Sequence, residues 1–525
     1  MDIIEKEKKK RTILYGLLVT VLVLIGVTYA YYRITKTQTN SNVIGTRTCL
    51  DTTLTEETSE IVLSDAFPIS DEDGLKQSPF TFTLTNNCDS YVKITIALVS
   101  EYRTSTNTGY LKDNYVKSNL STKGTNDGSS VILSTLPLGE VDTNTEGYVL
   151  KTTGLKNKEA KSFDLRLWLD SETTNEQGLN KTWKGKIVVS VVAAEYVPTF
   201  AETILAKNEV KAPITTPGAA ISTADEALLA SAEDDYGTSY YFRGAVTNNY
   251  VEFANKCWRI VRVGGDGSVK LILHNDNTTG AANPCDSANN SASAAFARYT
   301  GTTYTSAFNT NYNDNAYVGF KYGTVGASNY ASAHANTNNS TILTNLETWY
   351  NNNLKTYESV IDDNVWCNDK TNVDKTYNPW NWSNLTGLGY GTNTTFYGAT
   401  QRLVSTSGSA GGTGPSLKCN GELNKITSKV GLITADELAF TGYAYNLENT
   451  TTYLQENATD TWWWSLSSNY FFGSGAYVWI VGGSYGNFGG YSVDGTRGVR
   501  PSISLKSTTN VTGEGTSSSP YIISM

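Results

Sequence analysis

The side chains that most often carry catalysis are sparse in this sequence of 525 residues. Its two histidines, His274 and His334, lie outside any nucleophile motif, so the sequence presents no Ser/His/Asp or Cys/His arrangement. The six cysteines form no CxxC pair, which argues against structural zinc, and residues 411–414 (GGTG) lack the Lys and Ser/Thr of a phosphate-binding loop. We therefore expect no enzymatic activity, metal or cofactor. A glycoside hydrolase stays open, because its two acids can be far apart in sequence.

Aromatic and amide side chains offer a different chemistry near the end of the sequence. Residues 461–505 are rich in Tyr, Trp and Phe, interspersed with Asn, Ser and Gly. Aromatic rings give a large contact area at low conformational cost and amides give adaptable hydrogen bonds, a combination typical of binding surfaces. Trp462, Trp464, Tyr477 and Trp479 also fit core positions on alternating strands. The residues expected to bind an external ligand from glycine-rich loops are Asn469, Tyr470, Phe471, Tyr485, Asn487, Phe488 and Tyr491.

Strands are expected to position these residues. The apolar pattern predicts strands over residues 462–466 and 476–481, and a closing strand over 497–505. Further upstream, residues 257–263 and 268–273 are typical of a hairpin around a glycine-rich turn. These elements belong to a domain predicted over residues 236–525.

Two helices are predicted in the same domain. Ser340 can cap the first, which would continue towards Ile361, and Thr434 with Glu437 forms a capping box for the second, over residues 435–439. Residues 275–339 are nearly free of large aliphatic side chains and are expected to be loop. The apolar stripe of the first helix consists of Leu343, Leu346, Trp349, Tyr350 and Leu354.

Arg500 in the closing strand is expected to be structural. A buried guanidinium needs carboxylate or carbonyl partners, and Asp436 and Glu437 at the start of the second helix are the candidates. The three residues are therefore assigned to the structure and not to ligand binding.

The start of the sequence predicts export. Lys6 to Arg11 form a basic run, and residues 13–32 contain no charge over a length that spans a bilayer as a helix. The basic flank places the N-terminus in the cytoplasm and the C-terminus outside the cell. A cleaved signal peptide ending at Ala30 is an equal alternative, and it would secrete the same body. Residues 1–42 are thus predicted to be a cytoplasmic tail, a transmembrane segment and a spacer.

Export permits disulfides among the cysteines, all of which follow the hydrophobic segment. Six cysteines allow 15 connectivities, and chain order favours one of them, with three bonds. These are Cys49 with Cys88, Cys257 with Cys285, and Cys367 with Cys419.

Composition and charge indicate a β-rich protein that avoids nucleic acid. Charged residues make up 17% of the chain and 33 tyrosines and 45 glycines accompany them, which favours strands and turns over long helices. The net charge of −9 opposes phosphate binding, which relies on clustered Lys and Arg. We expect a mostly β chain with minor α structure, whose partners are a membrane and an external ligand.

A first β domain is predicted over residues 43–196. Phe80, Phe82 and Leu84 alternate with Thr, and residues 163–169 repeat the same period of two. Further strands are expected over residues 92–99, 130–136, 147–151 and 186–192, so that the domain is an antiparallel sandwich. Residues 197–235 are expected to be a linker. Pro198, Pro213 and Pro217 indicate either about 20 residues of coil or a short helix flanked by coil, and Ser222 followed by Asp225-Glu226 predicts a helix over 224–232.

Two family resemblances bear on function. Residues 80–98 (FTFTLTNNCDSYVKITIAL), after a segment ending in YAYY, are similar to camelysin-type biofilm fibre proteins. That resemblance implies a sandwich that can polymerise, and thus a structural surface or biofilm-matrix fibre as the alternative function.

The second resemblance covers the last 250 to 290 residues. The segment LITADELAFTGY, the Trp-rich strand and the terminal Gly498-Val499-Arg500-Pro501 resemble C-type-lectin-like domains of the formylglycine-generating-enzyme and diversity-generating-retroelement target type. The resemblance implies an α+β fold and a bacterial cell-surface adhesin or receptor, which binds a protein or glycan through the seven candidate residues. Sequence diversification of those loops is a further hypothesis.

The sequence departs from the enzyme branch of that family. No cysteine follows Cys419, whereas the enzymes carry active cysteines in the closing region. A calcium-dependent sugar site is not indicated either, because Cys367 interrupts the only similar run, residues 366–369.

Overall fold

The computed structural model describes residues 33–37, 51–58, 61, 66–142, 145–419 and 421–524. The chain is mostly β and divides into two compact units, Met1–Val197 and Pro198–Met525. No helix within the described ranges combines the length and apolar character needed to cross a bilayer. The predicted transmembrane segment, residues 13–32, and the alternative cleavage point at Ala30 lie outside those ranges.

The described residues of the first unit form antiparallel strands and two short helices. The helices are α1 (Asp71–Gly74) and α2 (Asn175–Gly178). The strands are β1 (Arg33–Thr37), β2 (Thr52–Glu56), β3 (Phe80–Asn86), β4 (Val92–Ser100), β5 (Val116–Thr122), β6 (Val131–Ile132), β7 (Leu138–Asp142), β8 (Thr145–Leu155), β9 (Ala160–Leu169) and β10 (Gly185–Ala193).

These strands form two sheets that share one apolar core. One sheet has the order β1-β10-β4-β8-β7 and the other β2-β3-β9-β5-β6, and every pairing is antiparallel. Phe82 and Leu84 of the second sheet pack in the same cluster as Ile94, Ile96 and Val189 of the first. The period-two pattern thus buries one face of each sheet, and the arrangement is a sandwich.

Two predictions for the first unit are wrong in detail. Arg33–Thr37, expected in a spacer, is a strand that pairs with β10 in the register Ile34 opposite Val191. Residues 130–136, expected to be one strand, form the two-residue β6 and then a short 3₁₀ turn at Leu133–Thr135. Leu133 is buried there, so the apolar pattern reflects burial in a turn and not a longer strand.

The second unit has more numerous and shorter elements. Its helices are α3 (Phe200–Lys207), α4 (Tyr330–His334), α5 (Thr341–Asn353), α6 (Gly398–Leu403) and α7 (Ala435–Thr441). Its strands are β11 (Ala227–Asp234), β12 (Gly237–Gly244), β13 (Tyr250–Phe253), β14 (Lys256–Val263), β15 (Val269–Asn275), β16 (Thr305–Ser306), β17 (Lys321–Tyr322), β18 (Asn338–Asn339), β19 (Asn364–Cys367), β20 (Thr395–Phe396), β21 (Lys425–Ser428), β22 (Trp463–Phe472), β23 (Gly475–Val481), β24 (Phe488–Ser492), β25 (Arg497–Gly498), β26 (Ser502–Leu505), β27 (Val511–Thr512) and β28 (Tyr521–Ile523).

Two larger sheets organise this unit. The first has the order β11-β12-β14-β13-β28-β27, with β15 bridging β14 and β26. The second has the order β16-β25-β22-β23-β24, with β20 beside β22. The first helix and the last strand of the unit meet: the Phe200 amide donates to Thr509 O at 2.7 Å, and the rings of Phe200 and Tyr521 lie 5.2 Å apart.

Capping signals correctly located the two helices predicted within residues 236–525. Ser340 accepts a hydrogen bond from the Leu343 amide at the start of α5, and Thr434 and Glu437 form the capping box of α7. The predicted apolar stripe of α5 is buried throughout, although the helix ends at Asn353 instead of continuing towards Ile361.

The linker predicted over residues 197–235 contains a short helix, as one alternative expected, but a strand replaces the second predicted helix. Residues 197–235 contain α3, which the capping pair Thr199 and Glu202 begins, and the strand β11 where a helix over 224–232 was expected. Glu226 does not cap a helix: its carboxylate accepts from the Ile214 amide and from Arg243. Pairing of β11 with β12 therefore overrides the local helical preference.

Two other segments differ from their predictions. The closing strand over 497–505 is divided into β25 and β26, because Pro501 has no amide hydrogen to continue the ladder. Residues 275–339 were expected to be loop draped over a core, and they include short helical and strand elements. Phe296, Phe308 and Phe320 from this stretch are themselves fully buried in the core.

The two predicted disulfides of the second unit are confirmed. Cys257 bonds to Cys285, and Cys367 bonds to Cys419. Cys88 of the first unit is disulfide-bonded as well, and its expected partner Cys49 lies outside the described residues.

Candidate ligand-binding site

The predicted binding residues do not form one exposed patch. Asn469, Phe471 and Phe488 are fully buried, which contradicts their expected exposure in loops. The reason is that β22 continues to Phe472 and β24 begins at Phe488, so all three are strand residues. Thr400 Oγ1 donates to Asn469 Oδ1 at 2.7 Å, which engages that side chain inside the unit.

The other four predicted residues reach the surface to different degrees. Tyr485 is 61% exposed and Tyr491 is 36% exposed, while Asn487 and Tyr470 are half-buried. Tyr491 contacts the ring of Trp462 at 6.2 Å and the guanidinium of Arg497 at 4.1 Å.

Tyr470 belongs to a partly exposed aromatic cluster, which we call the aromatic platform. The platform consists of Trp380, Trp382, Tyr470 and Phe472, and it rests on the buried ring of Phe396. Trp382 is its centre: its ring lies 4.5 Å from Phe472, 4.7 Å from Phe396 and 4.9 Å from Tyr470. Phe472 is 47% exposed, so the platform presents apolar ring surface to solvent.

Strand pairing supplies one half of the platform. Phe396 of β20 stands opposite Tyr470 of β22 in the antiparallel ladder, and Phe472 follows Tyr470 on the same face. Tyr477 of β23 stacks on Tyr470 at 4.5 Å and extends the aromatic surface along the sheet.

The other half comes from the loop that carries Trp380 and Trp382. Asn378 fastens this loop, because its Oδ1 accepts from the Trp382 amide at 2.9 Å and its Nδ2 donates to Trp382 O at 2.8 Å. Asn381 and Asn384 have φ values of 54° and 61°, a left-handed conformation that asparagine tolerates better than most residues. The two tryptophans are thus held by backbone geometry and not by packing alone.

The platform has no charged side chain within the two segments that supply it. It is built from residues 376–401 and 461–493, and neither segment contains Asp, Glu, Lys, Arg or His. Burial raises the pKa of Tyr470, so its hydroxyl stays protonated at neutral pH. Around the rings, the loop exposes the side chains of Asn381, Ser383 and Asn384.

A charged cleft in the same unit has a different character. Glu437 accepts from Arg262 at 2.9 Å and from Lys270 at 2.6 Å, and Arg402 makes a bidentate pair with Asp436. Burial alone would raise the pKa of Glu437, but the charges of Lys270 and Arg262 lower it to about 2. These ions neutralise one another, and the cleft is accounted for as structure.

The expected pairing of Arg500 with Asp436 or Glu437 is therefore wrong. Arg500 is fully buried, but it donates to two backbone carbonyls, Leu273 O at 2.9 Å and Leu454 O. Its guanidinium also lies 4.8 Å from the ring of Trp463. Arg262 and Arg402 occupy the carboxylates instead.

The two histidines are buried in this unit. Asn457 Nδ2 lies 3.2 Å from His274 Nε2, and His334 Nε2 contacts Gly389 O. Burial lowers the pKa of His274 well below its usual value and that of His334 to about 3. Across the part of the chain that the structure describes, no three His, Cys, Asp or Glu residues are grouped so that they could hold a metal ion.

Sequence reasoning missed Trp380, Trp382 and Phe472. The available signal was the segment NPWNWSN at residues 378–384, in which two tryptophans alternate with asparagines in a stretch without charge. Its proximity to residues 470–472 depends on the pairing of β20 with β22, which no local sequence pattern predicts.

Comparison with known proteins gives no further assignment. A scan against protein-family models, a search of curated proteins and a search of solved structures found no match. The resemblances to C-type-lectin-like and camelysin-type domains stay predictions, and function is inferred from the geometry of the platform.

Proposed function

We propose that this protein is a cell-surface receptor or adhesin whose second unit binds an external ligand non-covalently through the aromatic platform. The observation that carries the proposal is the exposed ring of Phe472 beside Trp382, held on strands and on a loop fastened by Asn378. Clustered aromatic surface of this kind marks an interaction site, because water solvates it poorly. Rigid aromatic anchors also lose little entropy when a ligand binds.

Export and anchoring belong to the same proposal. The disulfides Cys257–Cys285 and Cys367–Cys419 are typical of proteins in oxidising compartments, which supports a location outside the cytoplasm. In this proposal residues 13–32 tether the chain to the membrane or direct its secretion, and the second unit is a C-type-lectin-like module.

Adhesion of cells that display the full chain tests the proposal. Cells are applied to immobilised glycans, mucin and matrix proteins, and attachment is compared between the wild type and the double variant Trp382→Ala, Phe472→Ala. We expect attachment to fall at least tenfold, because central aromatic anchors contribute about 2 kcal/mol or more each to binding.

The matched control is Tyr236→Ala. Tyr236 is 58% exposed and lies in the turn between β11 and β12, outside the platform, so its removal should leave attachment unchanged. Circular dichroism and the unfolding midpoint verify that each variant is folded. Equal attachment of wild type and a folded double variant would contradict the proposal.

A further inference from the structure

We infer that the ligand of the aromatic platform is a neutral carbohydrate, bound by stacking of a sugar ring on the platform and by hydrogen bonds from the loop around it. The inference rests on the proposed function and names the ligand class of the same site. Three properties of the platform lead to it: its charge, its polar rim and the way its rings are held.

Charge is the first property. Two segments supply the platform, residues 376–401 and residues 461–493. Neither contains an ionisable side chain other than tyrosine. The side chains of these two segments offer no cation to a sialylated, sulfated or phosphorylated ligand and no carboxylate to a basic peptide. Their composition therefore favours an uncharged partner.

The polar rim is the second property. Asn381, Ser383 and Asn384 are exposed on the same loop as Trp382. Amides and hydroxyls both donate and accept hydrogen bonds, as sugar hydroxyls do, so the two sets can satisfy each other on desolvation. An apolar ligand such as a lipid chain would leave these groups without partners.

Ring geometry is the third property. The apolar C–H face of a pyranose ring needs a flat aromatic surface, and its affinity rises when that surface is fixed before binding. Trp382 is fixed from below by Phe396 at 4.7 Å and through its own amide and carbonyl by Asn378. Phe472, at 4.5 Å from Trp382, provides the exposed ring at its side.

A bridging metal ion has no part in this mode of binding. The two segments that supply the platform contain no Asp or Glu, so they offer no carboxylate ligand to a bridging calcium ion. We therefore expect binding to persist in EDTA. We also expect it to persist at high ionic strength, because no ion pair contributes to it.

The experiment uses the full chain in a detergent without a sugar headgroup, since maltosides and glucosides would compete for the site. The probes are an array of neutral and acidic oligosaccharides, followed by calorimetry with the strongest neutral binder. The expected result is binding to neutral oligosaccharides that survives 1 mM EDTA and 1 M NaCl. Trp382→Ala and Phe472→Ala should each weaken it at least tenfold, Trp382→Phe should weaken it less, and Tyr236→Ala should not change it.

Different results separate this inference from the proposed function. In one outcome, attachment still requires Trp382, is lost when the target is treated with protease, and survives periodate oxidation of the target. This result would contradict a carbohydrate ligand but would support the proposed receptor function. Salt-sensitive binding of acidic oligosaccharides, or no binding of neutral ones at millimolar concentration, also overturns the inference. Binding of neutral oligosaccharides that is unaffected by folded Trp382 and Phe472 variants overturns the assignment of the site itself.

Discussion

The two units differ in whether they bury cations. Among the described residues of the first unit, no lysine or arginine is buried, and the core is filled by strand side chains such as Phe82 and Ile94. The second unit fully buries Arg243, Arg259 and Arg500.

The partners of these arginines explain the difference. Arg243 donates to Ala439 O and Phe440 O, Arg259 to Val246 O, and Arg500 to Leu273 O and Leu454 O. In the sandwich, hydrogen bonds between paired strands satisfy the backbone polar groups. In the second unit, buried guanidinium groups donate hydrogen bonds to carbonyls that are not paired in this way. Buried cations should therefore contribute to the stability of the second unit and not to that of the first.

The largest effect is expected from Arg243→Met. Arg243 Nε lies 2.9 Å from Glu226 Oε1, and both side chains are fully buried. The variant leaves Glu226 without its cation and should lower the free energy of unfolding of the second unit by about 4 kcal/mol. Urea unfolding measures this loss. The double variant Arg243→Met, Glu226→Met should recover part of it, and a loss below about 1 kcal/mol would show that the buried pair is not essential.

Leu84→Ala should have the next largest effect, and in the other unit. Leu84 is fully buried in the sandwich core. Its truncation removes apolar contact and leaves a cavity, which costs about 3 kcal/mol. Hydrogen exchange should detect the loss in β3 and β9 while β15 and β22 keep their protection. Equal loss of protection in both units would contradict the separation of their cores.

Acidic pH should destabilise the second unit selectively, because both histidines of the chain lie there. Burial keeps their folded pKa values below 6.5, so between pH 6.5 and 5 protons bind the unfolded chain first and favour unfolding. The expected loss is about 1.5 kcal/mol per histidine over that range. Hydrogen exchange at pH 6.5 and at pH 5 measures the stability of each unit. An equal loss of stability in the two units would refute the prediction.

The smallest effect is expected from Lys211→Met in the second unit. Lys211 pairs with Glu209 at 3.1 Å, and both side chains are mostly exposed. A solvated pair contributes little, so the free energy of unfolding should change by about 0.5 kcal/mol or less. Comparison with Arg243→Met in the same urea experiment isolates burial as the cause. A change of several kcal/mol would mean that charge matters in this unit irrespective of burial.

The same contrast determines how much of the fold could be predicted from sequence. Alternation around Phe80, Phe82 and Leu84 identified strands of the first unit, and capping residues identified α5 and α7 of the second. Both signals are local, since they depend on neighbours within a few residues.

Non-local features could not be predicted in this way. The segment around Leu228 has the composition of a helix after Asp225-Glu226, and only its pairing with β12 makes it a strand. The partners of Arg500 lie 227 and 46 residues away in sequence. For the candidate site, Tyr470 was identified by composition, whereas Trp382 required the pairing of β20 with β22.

The contact between α3 and β28 has a consequence for protein engineering. Because the two ends of the second unit lie side by side, joined through Phe200, Thr509 and Tyr521, a recipient protein would need only a narrow gap in one surface loop to accept it. The unit is thus suited to insertion into a surface loop of another protein, with the aromatic platform left unchanged.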